Sequence, residues 1–157
     1  MVNLSNPPII EETQTYKPEW EYYDFDITNC FSYQNEETIY LEGMEILGMK
    51  IMLRVNPNGR NPEYKGHLSA YMLYDHSNDD KLGTDDFFFE FKMCVLNKLN
   101  PNYFLGVKDS GIKTFDFRSS PYSWGRHTIA THEELKENGF VSTDGTETVT
   151  VRLYARR

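Results

Sequence analysis

An all-β fold, an antiparallel sandwich of seven or eight strands with one short helix, is what this sequence predicts. Three observations lead there. Short alternating or apolar runs recur along the chain, turn residues punctuate them, and aromatic residues suited to half-buried pleated surfaces make up 15% of the composition.

Residues 1–18 hold Pro7, Pro8, Pro18 and a Glu11-Glu12 pair with no sustained periodicity, and read as a flexible leader. Residues 19–157 then form one domain of ordinary size. The first strand begins at Trp20 and alternates through Tyr22, Phe25 and Ile27 to Thr28-Asn29. Residues 38–41 and 46–55 follow as strands, the second apolar enough to cross a core. Asn56-Pro57-Asn58-Gly59 stops it, because proline presets φ for a turn and glycine accepts positive φ. A polar loop extends to Gly66.

Residues 67–74 are apolar on both alternating faces and read as a central strand. A solvated loop over 76–86, containing Asn78-Asp79-Asp80-Lys81, leads to a strand over 87–96. Turns at Asn100-Pro101-Asn102 and Asp109-Ser110-Gly111 bracket a strand at 103–107 and introduce another at 112–117. Thr131 with Glu134 three residues later forms a capping box, and Asn138-Gly139 supplies a stop, so a helix of about two turns lies between them. Residues 146–154 alternate Val149, Val151 and Leu153 against polar neighbours and form the closing strand.

Charge and motif content narrow the function. The formal charge of −8 repels phosphate backbones and anionic lipid, so neither nucleic acid nor a membrane is expected as a partner. No run reaches the ~20 apolar residues of a membrane span, and residues 1–10 lack the pattern of a signal peptide. A cytoplasmic or nuclear location is expected. Cys30 and Cys94 read as free, partly buried small hydrophobes.

The four histidines, His67, His76, His127 and His132, lack metal-ligand spacing. No nucleophile elbow or phosphate loop occurs, and the pairs Asp24/Asp26, Asp79/Asp80 and Asp85/Asp86 sit where solvated surface is expected. No catalysis, metal or cofactor is predicted.

Five segments in order resemble the MATH (meprin and TRAF-C homology, TRAF-like) family. Phe25-Asp26-Ile27-Thr28-Asn29-Cys30-Phe31-Ser32 is similar to the family's opening Trp-x-Ile-x-Asn-Phe-Ser. Leu53-Arg54-Val55-Asn56-Pro57-Asn58-Gly59 resembles its strand and Pro-x-Gly turn. Gly66-His67-Leu68-Ser69-Ala70-Tyr71-Met72-Leu73 resembles its Tyr-Leu-Ser-Leu-Tyr-Leu strand. Phe89 to Asn97 ends in a matching Leu-Asn pair, and Ser123-Trp124-Gly125 stands for Asp-Trp-Gly.

The pattern is nearest to the MATH-BTB speckle-type POZ adaptors. What the resemblance implies is a TRAF-like sandwich that binds short extended peptides in a shallow groove, as a monomeric recognition module of the ubiquitin pathway. Groove residues carried over by the resemblance are Tyr71, Phe91, Phe115 and Trp124, with Phe117 as the alternative to Phe115. Tyr122, Ser123, Gly125 and Arg126 form the rim. Ser123, Tyr122 and Arg126 depart from the family pattern, removing an acceptor charge and adding a cation. Arg126 with His127 is a candidate pair for an acidic or phosphorylated peptide residue, with a solvated turn cation as its alternative. Other readings are a TRAF-type signalling scaffold and, from another class, a carbohydrate-binding or enzymatic sandwich.

Overall fold

The computed structural model describes residues 19–46, 49–74, 87–115, 122–137 and 139–156. They form two four-stranded antiparallel sheets. One has the order β1-β8-β5-β6, from β1 (Glu21–Ile27), β8 (Val149–Arg156), β5 (Phe87–Leu96) and β6 (Phe104–Phe115). The other has the order β2-β3-β4-β7, from β2 (Ile39–Ile46), β3 (Met49–Asn56), β4 (His67–Tyr74) and β7 (Tyr122–Thr131).

Alternation builds the interior. Phe25 and Ile27 of β1, Phe91, Met93 and Val95 of β5, and Val149, Val151 and Leu153 of β8 face Ile51, Leu53 and Val55 of β3 and Leu68, Ala70 and Met72 of β4. Each of these side chains except Ala70 contributes about 1.5–3 kcal/mol in transfer terms. Edge strand β6 lies against edge strand β7, and β1 against β2, so the two sheets meet along both sides.

The outer face of the β1-β8-β5-β6 sheet is closed by its own aromatic and charged residues. Trp20 packs on Tyr154 and covers Cys94. Arg152 donates two hydrogen bonds to Asp24, at 2.6 and 2.9 Å, and its guanidinium lies 4.0 Å from the Tyr22 ring centre. The Asp24/Asp26 pair is therefore structural: Asp26 accepts from Thr150 at 2.5 Å.

Turn chemistry behaves as the sequence requires at residues 56–59, where Gly59 has φ 87° and its N–H donates to the Asn56 carbonyl at 3.1 Å. At Asn100-Pro101-Asn102 the Tyr103 N–H closes the turn on the Asn100 carbonyl at 3.0 Å. Strand β4 and strand β5 keep the predicted limits. Both cysteines are free and buried.

Five expectations are corrected. Ile46 ends β2 instead of opening the next strand, so 46–55 is not one element. Asp109-Ser110-Gly111 is no turn: β6 runs through it, and pairing with β5 shifts from Ile112↔Glu90 to Asp109↔Lys92. The extra residue is taken up as a β-bulge, which turn-forming residues accommodate as readily as a reversal.

The helix α1 (His132–Leu135) has one turn, not two. Its capping box forms, but the Gly139 carbonyl is drawn away to accept from the Lys98 N–H at 2.6 Å. Strand β8 begins at Val149, since Asp144 holds Thr146 in a turn through its N–H at 3.0 Å and its hydroxyl at 2.6 Å. Strand β7 was not predicted as an element, because Gly125, Arg126 and His127 interrupt any apolar alternation. The leader at 1–18, the loop at 76–86 and Phe117 lie outside the described residues.

Candidate functional site

Strand β7 gathers most of the predicted site. Among the described residues it pairs with β4 alone, with Tyr122 opposite Tyr74, Ser123 opposite Leu73, Trp124 opposite Met72 and Gly125 opposite Tyr71. Among the described residues its other edge has no partner in its own sheet, although β6 approaches that edge closely at Ile129.

Alternation along β7 splits the predicted residues into two sets. Trp124 turns inward, 7% exposed, and stacks on Phe91 of the opposite sheet with ring centres 6.0 Å apart and planes 25° apart. Phe91 has no exposed surface, so it backs Trp124 and offers no face to a ligand. Arg126, exposed, holds its guanidinium 5.8 Å from the Trp124 ring centre and donates to the Gly125 carbonyl at 3.1 Å.

The second set faces outward, away from the interior. Ser123 is exposed and Gly125 lies beneath Tyr71, where a Cβ on Gly125 would sit 2.5 Å from the Tyr71 Cα and 2.8 Å from its Cδ1. Only glycine lets that ring lie flat over β7. Phe115 closes the β5-β6 pairing opposite Phe87.

Sequence reasoning missed what surrounds Tyr71. Arg54 pairs directly with it across β3 and β4 and places its guanidinium 4.6 Å from the ring centre; Arg60, from the loop at 57–66, lies 5.3 Å away. The Tyr71 hydroxyl is hydrogen-bonded to His127 Nδ1, and the His127 ring stacks on Tyr64 with centres 4.9 Å apart. His127 therefore turns to Tyr71 while Arg126 turns to Trp124, and the two do not act as a pair.

Tyr40, 57% exposed, extends the row, since the register sets Tyr40, Arg54, Tyr71 and Gly125 side by side across the sheet. A cation within the otherwise apolar run 46–55, which also holds Lys50, was the available signal for Arg54. Its partner depends on strand register, which no local pattern supplies.

The 57–66 loop is fixed from three sides. Asn35 Nδ2 donates to the carbonyls of Asn58 and Asn61, both at 2.8 Å. Asn58 Nδ2 donates to the Tyr33 carbonyl at 3.2 Å, while its Oδ1 accepts from the Gly66 N–H at 2.6 Å. His132 Nε2 meets the Pro57 carbonyl at 2.6 Å.

Neither thiol is a nucleophile. Burial, assisted by Glu147, pushes Cys30 up to about 12, and burial pushes Cys94 to about 12 although Arg152 opposes it. Among the described residues no group of His, Cys, Asp and Glu has the arrangement of a metal site.

The family model described as the MATH domain matches residues 22–152. Among solved structures, TRAF5 of Notothenia coriiceps is similar in fold at 18% identity, with a TM-score of 0.54 over 70% of this chain and 56% of that one. The chain thus spans little more than half the length of that relative. No curated protein matches. The chain belongs to the MATH domain family, a family of protein-interaction modules.

Proposed function

We propose that this domain binds short extended peptides alongside β7, as the substrate- or partner-recognition part of a ubiquitin-pathway adaptor. The observation that carries the reading is the placement of Ser123, Gly125 and Arg126 on a strand that, among the described residues, hydrogen-bonds to β4 only. A peptide laid along such an edge gains main-chain hydrogen bonds, while neighbouring pockets choose its side chains. Trp124 and Tyr71, one on each side of β7, are only 7% and 6% exposed, so the exposed Ser123 and Arg126 are the side chains available to make that choice.

The domain acts as a monomer in the cytoplasm or nucleus and needs no metal or cofactor. Tyr122, Phe115 and Phe117 belong to the same proposed peptide site.

A peptide array tests this with the wild type and the variants Ser123→Arg and Arg126→Glu, both at exposed positions that leave the interior untouched. Both variants are expected to lose the wild-type spots at unchanged melting temperature. N-methylation of alternate peptide amides should weaken the retained sequences. Indifference to both variants and to N-methylation would remove β7 from the interface.

A further inference from the structure

We infer that Arg54, Arg60 and His127, set around Tyr71, form a phosphate-reading subsite for a phosphorylated serine or threonine in a bound peptide. The inference rests on the peptide-binding reading above and gives one position of that peptide its chemistry.

Two guanidiniums share one tyrosine ring here. Among the described residues neither is paired with a carboxylate, in a chain with 24 acidic against 16 basic residues. Where Arg152 and Arg156 occur on the other sheet, Asp24 and Glu90 neutralise them. A cation resting on an aromatic face is held by the ring while its N–H edge stays available to an acceptor.

His127 completes the set. It is exposed, and with Nδ1 engaged by the Tyr71 hydroxyl its Nε2 edge has no partner among the described residues. A carboxylate is saturated by one bidentate arginine. Two arginines with an imidazole edge beside them instead match a group with three acceptor oxygens and a charge of about −1.5 to −2.

The subsite is also preformed and small. Asn35, Asn58 and His132 fix the loop that carries Arg60, so little ordering is left to the ligand. Glu42, outward-facing two residues from Tyr40, and Glu63, next to Tyr64, bound the patch with negative charge. A long polyanion would meet those carboxylates; a single phosphorylated residue would not.

The experiment pairs two probes. Peptide arrays carrying serine, glutamate or phosphoserine at one fixed position in otherwise degenerate sequences are read with wild type, Arg60→Gln and Arg54→Gln. Separately, O-phosphoserine is titrated into each protein while backbone amide resonances are followed.

We expect phosphoserine spots to be retained about tenfold more tightly than serine or glutamate spots. Arg60→Gln, at an exposed position, should bring phosphoserine retention down to the serine level at unchanged melting temperature. O-phosphoserine should move the amides of Arg60, Tyr64 and His127 in wild type only. Equal retention of serine and phosphoserine peptides, with binding still lost in Arg126→Glu, would overturn the phosphate subsite and leave the peptide reading intact. Binding of O-phosphoserine without any peptide binding would uphold the subsite and overturn the peptide reading.

Discussion

The rings of Phe91 and Trp124 stack across the sandwich, 6.0 Å apart, one from each sheet. This single contact ties the proposed peptide edge to the centre of the core. Trp124 is consequently a structural residue as much as a surface one, and its removal acts on folding before it acts on recognition.

Trp124→Ala and Phe91→Ala should each cost about 3–5 kcal/mol of stability. Because the two rings touch, the double variant should lose less than the two single losses combined, by about 0.5–1.5 kcal/mol. Urea denaturation of the four proteins gives the coupling. Strict additivity would mean that the stack contributes nothing beyond area.

Gly106 and Gly145 both have positive φ, at 65° and 89°, yet they predict different losses. A Cβ on Gly145 meets nothing within 4 Å, so Gly145→Ala should cost about 1–2 kcal/mol, from backbone conformation alone. A Cβ on Gly106 would collide with the Ile129 carbonyl where β6 meets β7. Gly106→Ala should be clearly the worse, and midpoints of chemical denaturation that ranked them equally would contradict the close approach of those strands.

Removing the helix cap isolates a local term. Thr131 accepts from the Glu134 N–H at 3.1 Å, and Glu134 accepts from the Thr131 N–H at 2.9 Å. Thr131→Ala should lose about 1 kcal/mol. A melting temperature indistinguishable from wild type would show that this one-turn helix is held by Leu135 packing alone.

The thiols give a pH dependence of definite sign. Both remain protonated in the folded chain up to about 12, against an ordinary value of 9.0. The unfolded chain ionises first, so stability should be unaffected by these groups below about 9 and fall as pH rises from there towards 12. Cys30→Ala with Cys94→Ala should flatten that fall. A disulfide-exchange reagent at neutral pH should label neither thiol until denaturant is added; rapid labelling of the native protein would contradict their burial.

The limits of β4 and β5, the turns at 56–59 and 100–102 and the capping box were legible in the sequence because each is decided within a few residues. Leu68, Ala70 and Met72 alternate plainly, and Asn56-Pro57-Asn58-Gly59 allows little but a turn. Asp109-Ser110-Gly111 misled because the same residue types serve a bulge, and only the partner strand decides between them. Strand β7 was hidden by its own role, since an edge strand bearing Gly125, Arg126 and His127 has no apolar stripe to display. The family pattern named Tyr71 and Trp124, but their facing opposite ways follows from register. The Arg54-Tyr71 contact, across two strands, was equally out of reach.

The last strand lies between β1 and β5, not at a margin of its sheet. Until Val149 and its successors have left the ribosome, β1 has nothing to pair with, and the inward-facing Phe25, Ile27, Met93 and Val95 cannot be sealed. Synthesis must therefore run nearly to residue 156 before the domain can close. Loop closure spanning almost the whole domain makes folding slow, and until it is complete the exposed strands depend on protection from aggregation.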